Sequence, residues 1–419
     1  MKLVELSIHE FENFAYNHPL RSYAQTVNYA KLMGENGYSY DYIGYKDDMD
    51  NIVAGSLVLT KKLKYGKYAY APKGFLVDYY NTTLFKDFFN EVVSYYGKKG
   101  CTFIKINPEI IIGELNPKRS FAANYNQNVR IIDDLKSLGF KRRREIKPLD
   151  FIFPRISPYI NLKNYSRDGL ADEIKDILVN SQNSGLILES ASNKDISTLY
   201  NYIKDTTVFS VNYFRNILNI FTTNTGAEAE LLFMKIDYEA CLIQTQRAYE
   251  KELEHNNECN EKIQTDNSPA LLDEKMKSDR DLILIKQQVV QATNNLKKQK
   301  YEYIAAALVI KFENRISIVA SGWDSKFMAF NPMYYMYEAI IERYKNDYDF
   351  LDLNGLANSF SETSPYYKYN ESKIGMNPDV YEFIGEFDYI IDEAKFRRIQ
   401  SAGLLSGEFK PSYKLESEQ

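Results

Sequence analysis

The sequence predicts an α/β fold (α+β in its segregation of elements) built from two similar halves, with a long two-helix arm inserted into the second. Three observations carry this expectation. Strand-like runs alternate with helix-length segments through most of the 419 residues, a pattern that calls for a sheet with helices packed on it. The order helix, strand, helices, strand over residues 156–236 echoes the mixed pattern of residues 1 to about 155. From 238 to 302 the chain has no glycine and is rich in Glu, Lys, Gln and Asn.

In the first half, helices are predicted at "SIHEFENFAYNHP" and "YAQTVNYAKLMGENGY", the second stopped by Gly37. Strands follow at "YDYIGYK", "NIVAGSLVLTKKL", "KYAYAPKGFLVDYY" and "CTFIKINPE", with the helix "LFKDFFNEVVSYYGKKG" before the last. The second half opens with "LADEIKDILVNSQNSGLILES", continues through the helical "KDISTLYNYIKDTTVFSVNYFRNILNIF" and reaches the strand "AELLFMKIDY". The arm breaks once, at "QTDNSPALLD", where Ser268 can cap a helix and Pro269 takes its first position. Two antiparallel helices of ~26 residues would each project about 39 Å. Leu272, Met276, Ile283, Val290 and Leu296 supply one narrow seam. Past the arm come two strands joined at "ENR", then a helix and strand in "NPMYYMYEAIIERYKNDYDFLDLNGL", and "YNESKIGMNPDVYEFIGEFDY" closes a sheet.

Composition excludes several classes. No apolar run approaches the roughly 18 residues of a membrane span, and the N-terminus lacks the pattern of a signal peptide, so a cytoplasmic protein is expected. Cys101, Cys241 and Cys259 are few and far apart, which argues against a disulfide framework or zinc cluster; no structural metal is expected. A net charge of -5 leaves nucleic-acid contact to local patches, of which "KRRRE" at 141–145 is the densest. His9, His18 and His255 are the only histidines, none in a nucleophile or metal motif, and no G-x-S-x-G elbow or phosphate loop is present. Chemistry between two bound substrates remains, where positioning and charge stabilisation do most of the work. Lys373 is then a candidate cation, provided it faces a cleft.

In order around the arm, "YAQTVNYAKL", "YAYAPKGFLVDY", "FIKINPE", "GWDSKFMAFNPMYYMYEAI", "DFLDLNGL" and "SKIGMNPDVYEFIGEFD" match a set of motifs. Through them the chain resembles the FemABX family of non-ribosomal peptidyl aminoacyltransferases, which build peptidoglycan cross-bridges, and the resemblance covers nearly the whole length. It implies two tandem acetyltransferase-like (GNAT-like) domains: 1–155, and 156–237 with 303–395. It also implies a coiled-coil arm at 238–302 and a C-terminal tail at 396–419. The implied activity moves an amino acid from aminoacyl-tRNA to an amine of a peptidoglycan precursor, lipid-linked or nucleotide-linked, with no cofactor. Lys373 matches the lysine of the family's F-K-x-G and would stabilise the anionic intermediate; Glu386 matches the acidic residue of the later (V/I)-G-(D/E)-F. Tyr70, Lys73, Asp78, Asn107 and Asn354 are the implied substrate-binding positions. Arg142, Arg143, Arg144, Lys297 and Lys298 are the candidate contacts to tRNA, while the mixed charges of the arm also suit docking to a partner or to the inner membrane face.

This sequence departs from the family pattern at Met33, Lys73, Phe75, Asn107, Ile217 and Ser372. Those departures give weight to a second reading, a catalytically degenerate homologue that binds a cell-wall precursor or partner without transfer. An acyl-CoA N-acyltransferase follows from fold kinship alone, and the weak match "QSAGLL" at 400–405 does not supply its pyrophosphate loop.

Overall fold

The computed structural model describes residues 1–116, 123–143, 153–183, 185–222, 226–265, 268–357, 360–364 and 366–404. The first stretch runs β1 (Lys2–Glu5), α1 (Ile8–Asn17), α2 (Val27–Glu35), β2 (Ser39–Lys46), β3 (Ile52–Leu63), β4 (Gly66–Ala71), α3 (Thr82–Lys98), β5 (Phe103–Ile106), β6 (Ile111–Leu115), β7 (Ala123–Tyr125), α4 (Val129–Ser137) and β8 (Lys141–Arg142). The second runs β9 (Ile156–Asn161), α5 (Asp172–Asn183), β10 (Leu186–Ala191), α6 (Ile196–Ile203), α7 (Val211–Ile220) and β11 (Ala227–Asp237). The arm is α8 (Tyr238–Thr265) and α9 (Pro269–Lys298). The chain ends with β12 (Tyr301–Phe312), β13 (Arg315–Trp323), α10 (Pro332–Tyr344), β14 (Phe350–Asp352), α11 (Tyr367–Ile374), β15 (Asp379–Phe383), β16 (Phe387–Ile390) and α12 (Glu393–Ser401).

These strands form two sheets, one in the order β1-β2-β3-β4-β5-β16-β8 and one in the order β10-β11-β12-β13-β14-β9-β15-β6-β7. Among the described residues each half contains one parallel pair, β4 with β5 and β13 with β14, bridged by α3 and by α10. A β-α-β unit is thus repeated in the two halves, in the second at residues 315–352 and so outside the 156–236 stretch over which an echo was expected.

The chain also exchanges strands. β6 and β7 leave the first half to pair in the second sheet, and β16 returns from the far end to pair with β5 in the first. The closing stretch thus finishes two sheets rather than one. The crossings run side by side: Ile384 N–H donates to Ile110 O at 2.8 Å, and Phe383 pairs with Ile111.

Apolar residues gather in three main cores. One lies under α3 and α4 on the first sheet, and another under α5 and α10 on the second. The third is shared by α1, α2, α6, α7 and α12 with strands of both sheets. Phe396 and Ile399 of α12 belong to the shared core, so the stretch read as a tail begins as a packed helix; its apolar pair is spaced one turn apart.

The arm departs from the expected seam. Leu272, Met276, Ile283 and Val290 are exposed; the inward positions of α9 are Leu271, Lys275, Ser278, Leu282, Ile285, Val289, Ala292 and Leu296. That set alternates steps of four and three, the coiled-coil repeat, whereas the expected set tracked a parallel stripe one residue away at every position but Leu296.

Gln25 shows how the sequence builds the region that matters for function. On β3, the bridge Gly55 to Leu76 and the pair Leu59 to Tyr70 leave Leu57 facing a gap in the ladder. The Gln25 amide fills it: Oε1 accepts from Leu57 N–H at 2.8 Å, and Nε2 donates to Pro72 O at 2.6 Å and more weakly to Leu57 O at 3.3 Å. A Cβ on Gly74 would come within 2.9 Å of the Gln25 amide and 2.6 Å of Ser56 Oγ, which is why glycine sits there. Thr26 next to it caps α2, its hydroxyl accepting from Tyr29 N–H at 3.2 Å.

Replacing Gln25 with leucine strands buried backbone groups of Leu57 and Pro72. We expect Gln25→Leu to lower the unfolding free energy in urea by about 2–4 kcal/mol; a loss below about 0.5 kcal/mol would contradict this role.

Candidate functional site between the sheets

The segments that cross between the sheets, residues 107–110 and 384–386, carry or adjoin many of the predicted site residues. Asn107 follows β5, and its Oδ1 accepts from Tyr70 O–H at 3.2 Å and Lys73 N–H at 2.8 Å. Lys73 has a left-handed backbone (φ 54°), which a non-glycine residue keeps only when its surroundings fix it; the Asn107 carbonyl does so. Tyr70 and Lys73, neighbours in sequence, and the distant Asn107 are thus one unit.

Lys73 projects into a cleft of about 780 Å3, its open mouth included, whose lining comes from both halves: Tyr23, Glu109, Phe153, Tyr159, Tyr213, Arg315, Asp352, Asn354 and Phe383 among others. Four ionisable groups meet here. Arg315, at the start of β13, pairs with Glu109 and donates to Tyr159 Oη at 3.2 Å. Lys73 Nζ lies 3.9 Å from the other Glu109 oxygen and over the Phe383 ring, 4.7 Å from its centroid. Asp352, at the end of β14, accepts from Ser157 Oγ at 2.8 Å and from Asn354 N–H at 2.9 Å.

Burial and pairing set the charge states. Burial pushes the Glu109 carboxyl up, but Arg315 and Lys73 more than reverse this and hold it at about 2. For Asp352 burial wins, and its pKa stands above the ordinary value despite Arg315 and the Ser157 hydroxyl. Burial lowers the Lys73 pKa against the pull of Glu109. The cleft therefore combines a firmly ionised carboxylate, a guanidinium, a carboxyl that burial makes hold its proton more tightly and an amine that burial makes hold its proton less tightly.

A second pocket shares Lys73, Phe153, Pro154 and Phe383 with the first and adds Asn107, Arg143, Arg155, Gly385 and Glu386. Glu386 bonds to buried Lys105 at 3.0 Å and lies 3.4 Å from Arg143. Asp388 completes this network, 3.0 Å from Lys105 and 3.3 Å from Arg143.

Lys373 has a different setting. It lies on α11, only 3% exposed, and Nζ donates to Gly355 O at 2.7 Å, Asn354 O at 3.2 Å and Tyr369 Oη at 2.7 Å. With neutral acceptors only, burial drives its pKa down to about 7, opposed by Asp352. It touches the cleft through Asn354, whose side lines it. Gly375 lets α11 approach α10, since a Cβ there would lie 2.7 Å from the Tyr334 ring.

The remaining expected positions are dispersed. Asp78 is exposed, caps its own turn by accepting from Tyr80 N–H at 2.9 Å, and lines neither pocket. Arg142 donates to Ile384 O at 3.0 Å, so Arg142 and Arg143 brace the crossing rather than form a free basic patch. Arg144 lies outside the described residues. Lys297 and Lys298 are exposed where the arm joins the second sheet. Sequence reasoning missed Glu109, Arg315 and Asp352; Glu109 and Asp352 lie within stretches quoted for their motifs, as a charge just after or at the end of an apolar strand, whereas Arg315 opens β13 and was read only as part of the turn "ENR".

Two α/β halves joined by exchanged strands, with a shared charged cleft and a helical arm, define the architecture. The model of the FemAB family matches residues 6–403, and the chain belongs to that family. It is similar to the aminoacyltransferase FemA of Staphylococcus epidermidis, 22% identical over 419 aligned positions that cover 92% of this chain and 95% of the relative. FemA of Staphylococcus aureus strain MW2 is 23% identical, covering 92% and 94%. The crystal structure of FemX superposes with a TM-score of 0.73 at 18% identity, over 96% of this chain and all of the other, and so shares the fold. Among the described residues no helix is long and apolar enough to cross a membrane.

The Lys373 setting has a pH signature. A lysine near 7 when folded and near 10.4 when unfolded makes the unfolded state bind the extra proton between those values, so stability rises with pH across that window. We expect the unfolding free energy of the wild type to gain on that of Lys373→Met by up to about 1.4 kcal/mol per pH unit from pH about 7 to about 10. Parallel urea curves with a pH-independent difference would show that the amine is not held in this state.

Proposed function

We propose that this chain is an aminoacyltransferase that moves an aminoacyl group from aminoacyl-tRNA to an amine of a peptidoglycan precursor's stem peptide. The observation that carries the reading is the charged cleft at the seam of a chain that belongs to the FemAB family along almost its full length. The relatives named aminoacyltransferase FemA support the reaction type.

The chemistry asks for three things, and the cleft can supply each. The acceptor amine must lose a proton before it attacks the ester carbonyl; Asp352, with its raised pKa, is the proposed acceptor of that proton. The tetrahedral intermediate carries negative charge on the former carbonyl oxygen, and Lys73 and Arg315 are the cations beside it. Collapse breaks the ester bond and expels the ribose oxygen of the tRNA, which takes up the proton that the attacking nitrogen sheds as it becomes the new amide. Glu109 holds Arg315 and Lys73 in place. Lys373 is proposed as a positioning residue, because its amine holds the Asn354–Gly355 carbonyls that follow Asp352. Asn107 and Tyr70 fix Lys73 in the same sense. Glu386 and Arg143 flank the second pocket, a proposed approach for one of the two substrates. The exposed Lys297 and Lys298 are the remaining described candidates for tRNA phosphates, and the cytoplasm is the proposed location.

Single-turnover transfer from charged tRNA to lipid-linked and nucleotide-linked stem peptides tests this. Wild type should transfer, and Asp352→Asn should slow the step by about 10²–10⁴-fold at unchanged precursor binding. Precursor binding with no transfer from any donor would instead establish the degenerate binding protein.

A further inference from the structure

The outer half of the arm buries side chains that do not ordinarily hold a coiled coil together. Near the sheets α9 offers Leu282, Ile285, Val289, Ala292 and Leu296 to the seam. Farther out, short of apolar Ile263 and Leu271 beside the break between the helices, the inward positions are Lys275 and Ser278 of α9 and Glu252, Asn256 and Cys259 of α8, with Asn256 donating to Ser278 Oγ at 3.0 Å. A seam of this composition gains little from burial, so the outer helices need another tie.

Three donors of different chemistry meet there. His255 and Cys259 stand one turn apart on the same face of α8, and Glu274 faces them from α9. His255 Nε2 is 3.7 Å from Cys259 Sγ and 3.6 Å from Glu274 Oε1, and the three ligand atoms lie within 4.8 Å of one another. A tetrahedral zinc ion with ordinary bond lengths spaces nitrogen, sulfur and oxygen ligands roughly 3.4–3.6 Å apart. Two of the separations already come close to that range, and exposed Glu274 is free at its surface to turn toward Cys259. Cys259 itself is fully buried between the helices.

We propose that His255, Cys259 and Glu274 bind a borderline-soft divalent cation of the zinc class, which staples α8 to α9. The second Glu274 oxygen or a water completes four-coordination. The cation replaces the thiol proton of Cys259, which passes to solvent, so binding strengthens as pH rises. A single H-x-x-x-C carries only two ligands and the third comes from another helix, so local sequence does not mark the site.

Co2+ is the probe, added to the full chain after treatment with a chelator. Wild type should develop a thiolate-to-cobalt charge-transfer absorption that saturates at one ion per chain and is displaced by Zn2+, and Zn2+ should raise the thermal midpoint. Cys259→Ser should abolish the band, Cys101→Ser and Cys241→Ser should keep it, and Glu274→Gln, at an exposed position, should weaken binding at least about tenfold while the fold is retained. A folded wild type that shows no band in excess Co2+, or a band that survives in Cys259→Ser, would overturn the site.

Discussion

The antiparallel pair of crossings at residues 107–111 and 383–386 is the constraint on which the rest of the molecule depends. Each sheet is completed by chain that belongs, in sequence, to the other half: β6 and β7 in one direction, β16 in the other. Pulling the sheets apart would require breaking the ladders of β15 with β6 and of β16 with β5, besides opening the shared core of α1, α2, α6, α7 and α12. Relative motion between two domains is the usual expectation for a single covalent connection. Here several connections and a common apolar core oppose it.

That constraint explains where the charges are. Lys73 and Glu109 come from the first half and Arg315 and Asp352 from the second; Glu109 stays within pairing distance of Lys73 and Arg315, and Asp352 lines the same cleft, because the crossings fix the spacing of the walls. Buried ions gain from pairing only when their geometry is held, and removing one partner leaves the other uncompensated. The Lys105, Arg143, Glu386 and Asp388 network lies on the first-sheet side of the same seam. Charge is thus concentrated where the backbone is least able to move, which suits a site that must stabilise a transient anion without reorganising.

Much of this was legible in the sequence, and the illegible part has a common cause. Helices, most strands and the arm follow from local periodicity, and the Gln25-Thr26 pair and the Lys73 loop were marked by motif. The crossings were not, since pairing Lys105 with Asp388 is a contact between distant parts of the chain that no local pattern encodes. For the same reason Glu109 read as the end of a strand and Arg315 as a turn residue, although they meet in the folded chain. Lys373 was recognisable as special, yet its enclosure by the Asn354 and Gly355 carbonyls was not, because those acceptors are backbone. In the arm, most of the seam was misplaced by one residue because apolar residues stand side by side, Leu271 with Leu272, Leu282 with Ile283 and Val289 with Val290, and because exposed Met276 is more apolar than the inward Lys275.

The central claim is that exchanged strands make the two sheets one cooperative unit with the cleft on its seam. Hydrogen exchange followed by mass spectrometry across a urea series tests it most directly, comparing amides of β4 and β5 with those of β11, β12 and β13. Loss of protection in both sets at one urea concentration, with one slope, is the predicted result. Two transitions, with one sheet exchanging while the other stays protected, would contradict it.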